Sequence, residues 1–536
     1  MVEIFNMTSA HCVIGSGPAG VACAQGLLAR GAHVLMLDAG VELESDRAKI
    51  IRQCAATPPT HWSAAQLATV RGGLAADARG VSLKLIFGSD FPYRETAEKI
   101  PWRGSGVGLK PSLALGGLSN VWGAAMLPHC DEDINDWPIR NSELAPHYSA
   151  VLDFTGLTAI RDDLEESFPL HCEKPDNLPP SRQAERLLQN LQKNRQTLRD
   201  RGWQFGRSRL ALRAEGSSNS TCIKCGMCMY GCAYGSIYNA ADTVQELRTN
   251  NNFTYQRDVV VTCVHEQENY IVIKGFHRET REPLVFTSQR VYLAAGVIPS
   301  AQILLRSQSA YDQPLTLRDC QYFLFPLILA RRTPGVQTEE MHTLSQLFIE
   351  LNNPKISRRN VHLQFYTYSD LIGQVIRQTL GPLKFLGRYI DDRMVIVQGY
   401  LHSDESSHMT MTLKHAKEND ILELAAHQHP DTNSTVKRVV FELLSQASRL
   451  GGLVLPPMLK LAEPGRSFHS GGSLPMRASP GRFETDTLGR PFGWDRLHVV
   501  DASVLPSIPA TTITFSVMAN AHRIGWATAN GSFFER

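Results

Sequence analysis

Apolar positions near the start of the chain fall into two short runs separated by small residues. His11-Cys12-Val13-Ile14 reads as a buried strand, Val21 to Arg30 as a helix rich in small side chains and stopped by Gly31, and Ala32–Leu37 as a second strand. The pattern then loosens into loops. Leu144 to Tyr148 leads into a helix, Ser181–Asn194 predicts a helix with a polar face, and Val259–Val264 with Tyr270–Lys274 predicts a hairpin. Val291 to Gly296 is a buried strand ending in glycine, and Ser300–Ser307 begins a helix. Residues 310–464 have a different texture: strands such as Val361–Tyr368 and Met394–His402 alternate with helical segments such as Val436–Leu450. The expected division is a discontinuous first domain, 8–309 with 465–536, and a second domain, 310–464, laid on it.

Length and charge narrow this picture. A chain of 536 residues exceeds one ordinary compact domain. A formal net charge of +2 gives no reason to expect nucleic acid as a partner. The longest apolar run, Tyr322 to Ala330, falls short of the ~20 residues of a membrane helix. The N-terminus shows no secretory pattern, and the cysteines are scattered apart from one cluster, so a cytoplasmic location is expected, export with a partner subunit staying open. Leu371 to Arg377 with Leu383 to Arg388 could form a basic amphipathic stretch, and Lys414 to Glu418 a solvated face.

Between the first strand and helix stands Gly15-Ser16-Gly17-Pro18-Ala19-Gly20. Gly15 permits a tight turn, Gly17 lets a pyrophosphate approach the backbone, and Gly20 lets helix and strand pack closely, with Ala19 in the first helical turn. Phosphate would rest on the helix N-terminus. Asp38, ending the second strand, is placed to accept hydrogen bonds from ribose hydroxyls and disfavours a ribose 2′-phosphate. The constellation predicts a dinucleotide, FAD above others.

Cys222, Cys225, Cys228 and Cys232 are spaced C-x2-C-x2-C-x3-C. That spacing wraps iron–sulfur clusters in ferredoxins, where the fourth cysteine serves a second cluster. The expectation is a 3Fe–4S or 4Fe–4S cluster, with a zinc knuckle and a plain structural loop as alternatives; Ala233 stands where ferredoxins have proline.

Taken together, the Gly15–Gly20 turn with Leu37-Asp38-Ala39-Gly40, Gly116 to Asn120, Ala294-Ala295-Gly296, His469 to Met476 and Val499 to Pro506 resemble the glucose–methanol–choline (GMC) oxidoreductases. The segments occur in family order and span the chain except for its middle domain. The resemblance implies an α/β chain, α+β overall, with a Rossmann-type FAD domain and a substrate domain built on an antiparallel sheet. It implies oxidation of a hydroxyl to a carbonyl by hydride transfer to the flavin. Cofactor contacts are implied at Gly117, Ser119, Asn120, Val260, Ala295, Gly296, Asp501 and Ala502, and the general base at His469. The position where the family usually has His or Asn falls on Thr512. The cysteine loop resembles that of the cluster-bearing large subunits of bacterial FAD-dependent sugar and alcohol dehydrogenases. The resulting expectation is a dehydrogenase acting on an alcohol or sugar and passing electrons through the cluster to an acceptor protein or partner subunit. An oxygen-using oxidase and a flavoprotein electron carrier are the alternatives.

Overall fold

The structure is a computed structural model that describes residues 3–72, 83–214, 220–380, 387–416 and 420–530. Part of the amphipathic stretch (383–386) and of the solvated face (417 and 418) lies outside the described residues. The stretch on either side of that gap forms the helices Asp370–Leu380 and Gly387–Asp391.

The first sheet has seven strands. Its centre is Glu3–Ile14, flanked in parallel by Val34–Leu37 on one side and Pro283–Leu293 on the other; Phe253–Gln256 and Leu497–Val499 also join in parallel. The hairpin Val259–Glu266 and Ile271–His277 closes one end in antiparallel register, as its sequence predicts. Parallel strands are covered on both faces, which is why Cys12-Val13-Ile14 and Val34–Leu37 read as unbroken apolar runs rather than alternations. The helix Pro18–Leu28 covers one face together with the C-terminal helix Thr514–Thr528. These two helices meet backbone to backbone: a Cβ on Gly26 would lie 2.4 Å from the His522 carbonyl oxygen, and one on Gly525 2.4 Å from that of Cys23.

The second sheet is antiparallel, ordered Gly452–Val454, Gln321–Leu329, Met394–Leu401, Val361–Tyr366, Leu347–Leu351 and Trp203–Arg207. Its edge strand Trp203–Arg207 comes from the segment that the sequence assigns to the first domain, so the chain feeds this sheet before residue 310. One face, carrying Phe325, Leu363, Phe365, Val395 and Val397, packs on helices Arg182–Lys193 and Thr432–Ser445 to form a core of its own. The opposite face turns toward the first sheet. A third sheet of five strands, among them Pro314–Asp319, Trp102–Ser105 and Ser470–Gly471, stitches the two together.

Candidate active site

The glycine turn opens a cavity of about 480 Å3 between the first and second sheets. Gly15 takes φ +103°, and a Cβ on Gly20 would lie 2.0 Å from the Gly15 carbonyl oxygen, so the helix can sit on the turn only without a side chain there. Gly17 caps the helix without a side-chain hydrogen bond and the first turn holds no acid. Its unpaired N–H groups and the helix dipole therefore present a positive end beside the cavity, which Gly17, Pro18 and Ala19 line. Across the gap stands Gly117, whose Cβ would meet the Gly17 Cα at 3.2 Å. This glycine-walled cradle, with a dipole and no competing anion, fits a dinucleotide pyrophosphate.

Asp38 is buried and already engaged. Its carboxylate accepts hydrogen bonds from the Ser16 N–H at 3.1 Å, the Ser16 hydroxyl at 2.8 Å and the Tyr255 hydroxyl at 3.1 Å. Burial raises its pKa to about 6, against the lowering effect of these bonds. Tyr255 was not legible as its partner, because nothing in sequence connects positions 217 residues apart.

Most residues anticipated from sequence converge on this cavity: Gly15, Gly17, Ala19, Asp38, Gly117, Ser119, Val260, Ala295, Gly296, His469, Asp501, Ala502 and Thr512 all line it. Gly20 and Asn120 are not in its lining. Asn120 instead ties the loop together, donating to the Leu115 and Gly117 carbonyls at 2.9 and 2.7 Å and accepting from Asn239 at 2.9 Å. Ser119 lines the wall while its hydroxyl receives the Ala240 N–H at 3.0 Å. Asp501 holds the turn after Pro283–Leu293: its carboxylate accepts from the Gly296 N–H at 2.9 Å and the Ser300 hydroxyl at 2.5 Å.

At the far end His469 is set by a clamp that the sequence does not announce. The buried Asp319 carboxylate accepts hydroxyl hydrogens from Ser467 and Ser470, both at 2.7 Å, and the Gly465 N–H at 2.6 Å. The Ser467 oxygen in turn receives the His469 N–H at 2.9 Å. The imidazole stacks on Tyr400 at 4.8 Å between ring centroids, and its Nδ1 is buried with no hydrogen-bond partner. Burial, then the neighbouring His362, lower its pKa to about 3, which keeps the ring neutral. Thr512 is buried, and its Oγ1 accepts the Leu127 N–H at 3.0 Å, leaving the hydroxyl hydrogen for another acceptor. The roof above His469 comes from the second sheet: Tyr322, Gln364, Tyr366, Gln398 and Tyr400. The signal for this roof was present in the alternation Val361-His-Leu-Gln-Phe-Tyr366, whose polar members fall on one face.

The cysteine loop departs from expectation. Among the described residues no group of three or more His, Cys, Asp or Glu is arranged to hold a metal ion, so the anticipated iron–sulfur cluster is without support from the structure. Left-handed backbone at Lys224, Gly226 and Gly231 turns the loop repeatedly, and its thiols stay near one another, Cys222 and Cys225 both feeling the charge of Cys228 and Cys232. Cys222 packs against the main core and Cys225 against a small cluster around Trp62 and Tyr230. Cys228 and Cys232 line a separate cavity of about 620 Å3, their sulfurs accepting the Thr343 and Ser236 N–H groups at 3.4 and 3.2 Å. Burial pushes the Cys222 thiol up to about 11 and that of Cys225 to about 12.

A parallel sheet whose glycine turn opens under an antiparallel roof is the layout expected of a Rossmann-type domain joined to a substrate domain. Comparison with known proteins agrees. A family profile described as GMC oxidoreductase matches residues 457–521, a stretch that holds His469, Asp501 and Thr512. No curated protein matches the chain by sequence. Among solved structures, pyridoxine 4-oxidase from Mesorbium loti shares the fold at a TM-score of 0.60 and 14% identity, over 98% of this chain and 100% of that one. An R554A variant of Aspergillus oryzae RIB40 formate oxidase does so at a TM-score of 0.58 and 13% identity, over 97% of this chain and 98% of that one. The profile match supports the GMC oxidoreductase family on residues 457–521, and that family implies FAD; the two solved structures show the fold. Among the described residues no helix is long and apolar enough to cross a membrane.

Proposed function

We propose that this chain is an FAD-dependent oxidoreductase that oxidises a CH–OH group of a neutral alcohol or sugar to a carbonyl. The observation that carries the reading is His469: a neutral imidazole in the same cavity as the Gly15–Gly20 cradle, with no charged partner of its own. When bound, the flavin supplies the hydride acceptor. Gly17, Ala19 and Gly117 hold the pyrophosphate in this reading, and Asp38 meets the ribose. His469 takes the hydroxyl proton as the hydride leaves the same carbon. Because burial opposes a charged imidazole, proton uptake is favoured by the negative charge that enters the cavity with the hydride. The Thr512 hydroxyl, its oxygen already bonded to the Leu127 N–H, donates toward the substrate oxygen.

His469→Ala should slow flavin reduction by at least ~10²-fold, the low end for loss of a general base, with FAD content unchanged. Reduction at the parent rate would sink the reading and favour an electron carrier. For the electron exit, an oxidase needs no metal centre, and both structural relatives named above are oxidases. Rapid flavin reoxidation by air, with iron and acid-labile sulfide well below one cluster per chain, supports that route. Stoichiometric iron and sulfide would return the dehydrogenase with a cluster exit.

A further inference from the structure

The roof carries a hydrogen-bond chain that runs one way. His362, Gln364 and Tyr366 alternate along one strand, on the face opposite Val361, Leu363 and Phe365. The Tyr366 hydroxyl donates to Gln364 Oε1 at 3.0 Å. Gln364 therefore offers its amide nitrogen to the next group, which is His362 Nε2 at 3.0 Å. Nε2 then carries no hydrogen, so Nδ1 holds the ring proton and donates to Glu350 Oε1 at 2.5 Å. The other Glu350 oxygen accepts from Asn360 at 2.6 Å. Glu350 and His362 are fully buried and face each other across paired strands, so the chain is anchored on a carboxylate away from solvent. Tyr400 repeats the theme, donating to Gln398 Oε1 at 3.4 Å. Both phenols thus use their hydrogens within the wall and have only lone pairs left to offer.

We propose that Tyr366 is a specificity-determining residue, whose phenol oxygen accepts a hydrogen bond from a second substrate hydroxyl beside the one that is oxidised. The inference rests on the alcohol-oxidation reading and narrows it: the substrate class is a vicinal diol or polyol, not a simple monoalcohol. Gln364, His362 and Glu350 are positioning residues, because they set which end of the chain donates. The Ser345 hydroxyl also approaches the Tyr366 phenol and is the competing donor for its oxygen.

The test uses FAD-loaded protein under anaerobic conditions, with cyclohexanol and trans-cyclohexane-1,2-diol as probes. Dissociation constants are read from perturbation of the flavin absorbance, and reduction is followed separately. The parent should bind the diol about 5- to 10-fold more tightly than cyclohexanol, what one neutral hydrogen bond supplies. Tyr366→Phe should bring that ratio close to one. Gln364→Met should lower it, because Tyr366 then has no fixed acceptor for its hydrogen. Ser345→Ala should keep the ratio or raise it. Equal dissociation constants in the parent, or a preference that survives Tyr366→Phe, would overturn the inference. A preference for the diol without flavin reduction by either probe leaves the inference standing and counts instead against alcohol oxidation.

Discussion

At the scale of single residues, the site is governed by who already occupies each polar atom. Thr512 illustrates it. Its oxygen accepts a buried backbone N–H, so Thr512→Val removes a donor from the cavity and also leaves the Leu127 N–H unpaired. The expected loss of stability is about 1–3 kcal/mol, read as a lowered urea midpoint, and Thr512→Ser should restore most of it. A midpoint unchanged by Thr512→Val would mean that the bond is not made in solution. Asp319 acts one step further out. It holds Ser467 and Ser470 on either side of His469, and Asp319→Asn keeps the size but loses one acceptor oxygen. A shift of the imidazole by about 1 Å is worth up to ~10²-fold in rate. Flavin reduction should therefore slow with FAD content intact; loss of FAD at the same time would show that Asp319 supports the fold rather than the histidine. Sequence made His469 and Thr512 visible because they sit among distinctive neighbours. It left Asp319 invisible because a lone buried aspartate in a strand has no local signature.

At the scale of elements, the glycine turn was legible because it needs only local chemistry: a strand, a helix start and a glycine at each close approach. The helix Pro18–Leu28 shows where local reading stops. Its small residues were plain, but Gly26 faces the backbone of a helix some five hundred positions later. Helix propensity alone favours Gly26→Ala by roughly 1 kcal/mol. The contact decides otherwise, because the new Cβ would lie 2.4 Å from the His522 carbonyl oxygen and 2.9 Å from the Trp526 nitrogen, both backbone atoms. Gly26→Ala should destabilise the protein by a net ~1–3 kcal/mol through overpacking, measured by urea denaturation. Stabilisation would mean that the two helices are further apart than described. The cysteine loop is the opposite case. Its spacing was readable, but spacing fixes only the separation along the chain. The loop turns through left-handed backbone at Lys224, Gly226 and Gly231, and Cys222 packs on the main core while Cys225 packs on the cluster around Trp62 and Tyr230.

At the scale of the whole molecule, the strands on either side of the glycine turn followed from the apolar runs, while the early strand Trp203–Arg207 in the second sheet did not, since edge pairing is settled by tertiary contact. Burial on this scale has a consequence for acid stability. His129, His342, His402, His469 and His498 are buried, and desolvation lowers their pKa values to between about 3 and about 4. In the unfolded chain each takes a proton below about 6.5, whereas the folded protein holds them neutral down to about 4. The unfolded state therefore binds more protons as pH falls below 7, and stability falls with it. Between pH 7 and pH 6 the five together should cost on the order of 3 kcal/mol. Asp38, Asp133, Asp162 and Asp319 act with the opposite sign: burial raises each to about 6, so below that pH the folded state takes up protons that the unfolded state does not. Their contribution is present at low pH and lost as pH rises through 6. Five histidines lose more than four aspartates return, so stability should drop steadily from pH 7 to about pH 5 and the fall should ease only below that. Urea midpoints at pH 7, 6, 5 and 4 would show it. A midpoint that holds level from 7 to 6 and then collapses would mean that these histidines are hydrated in solution.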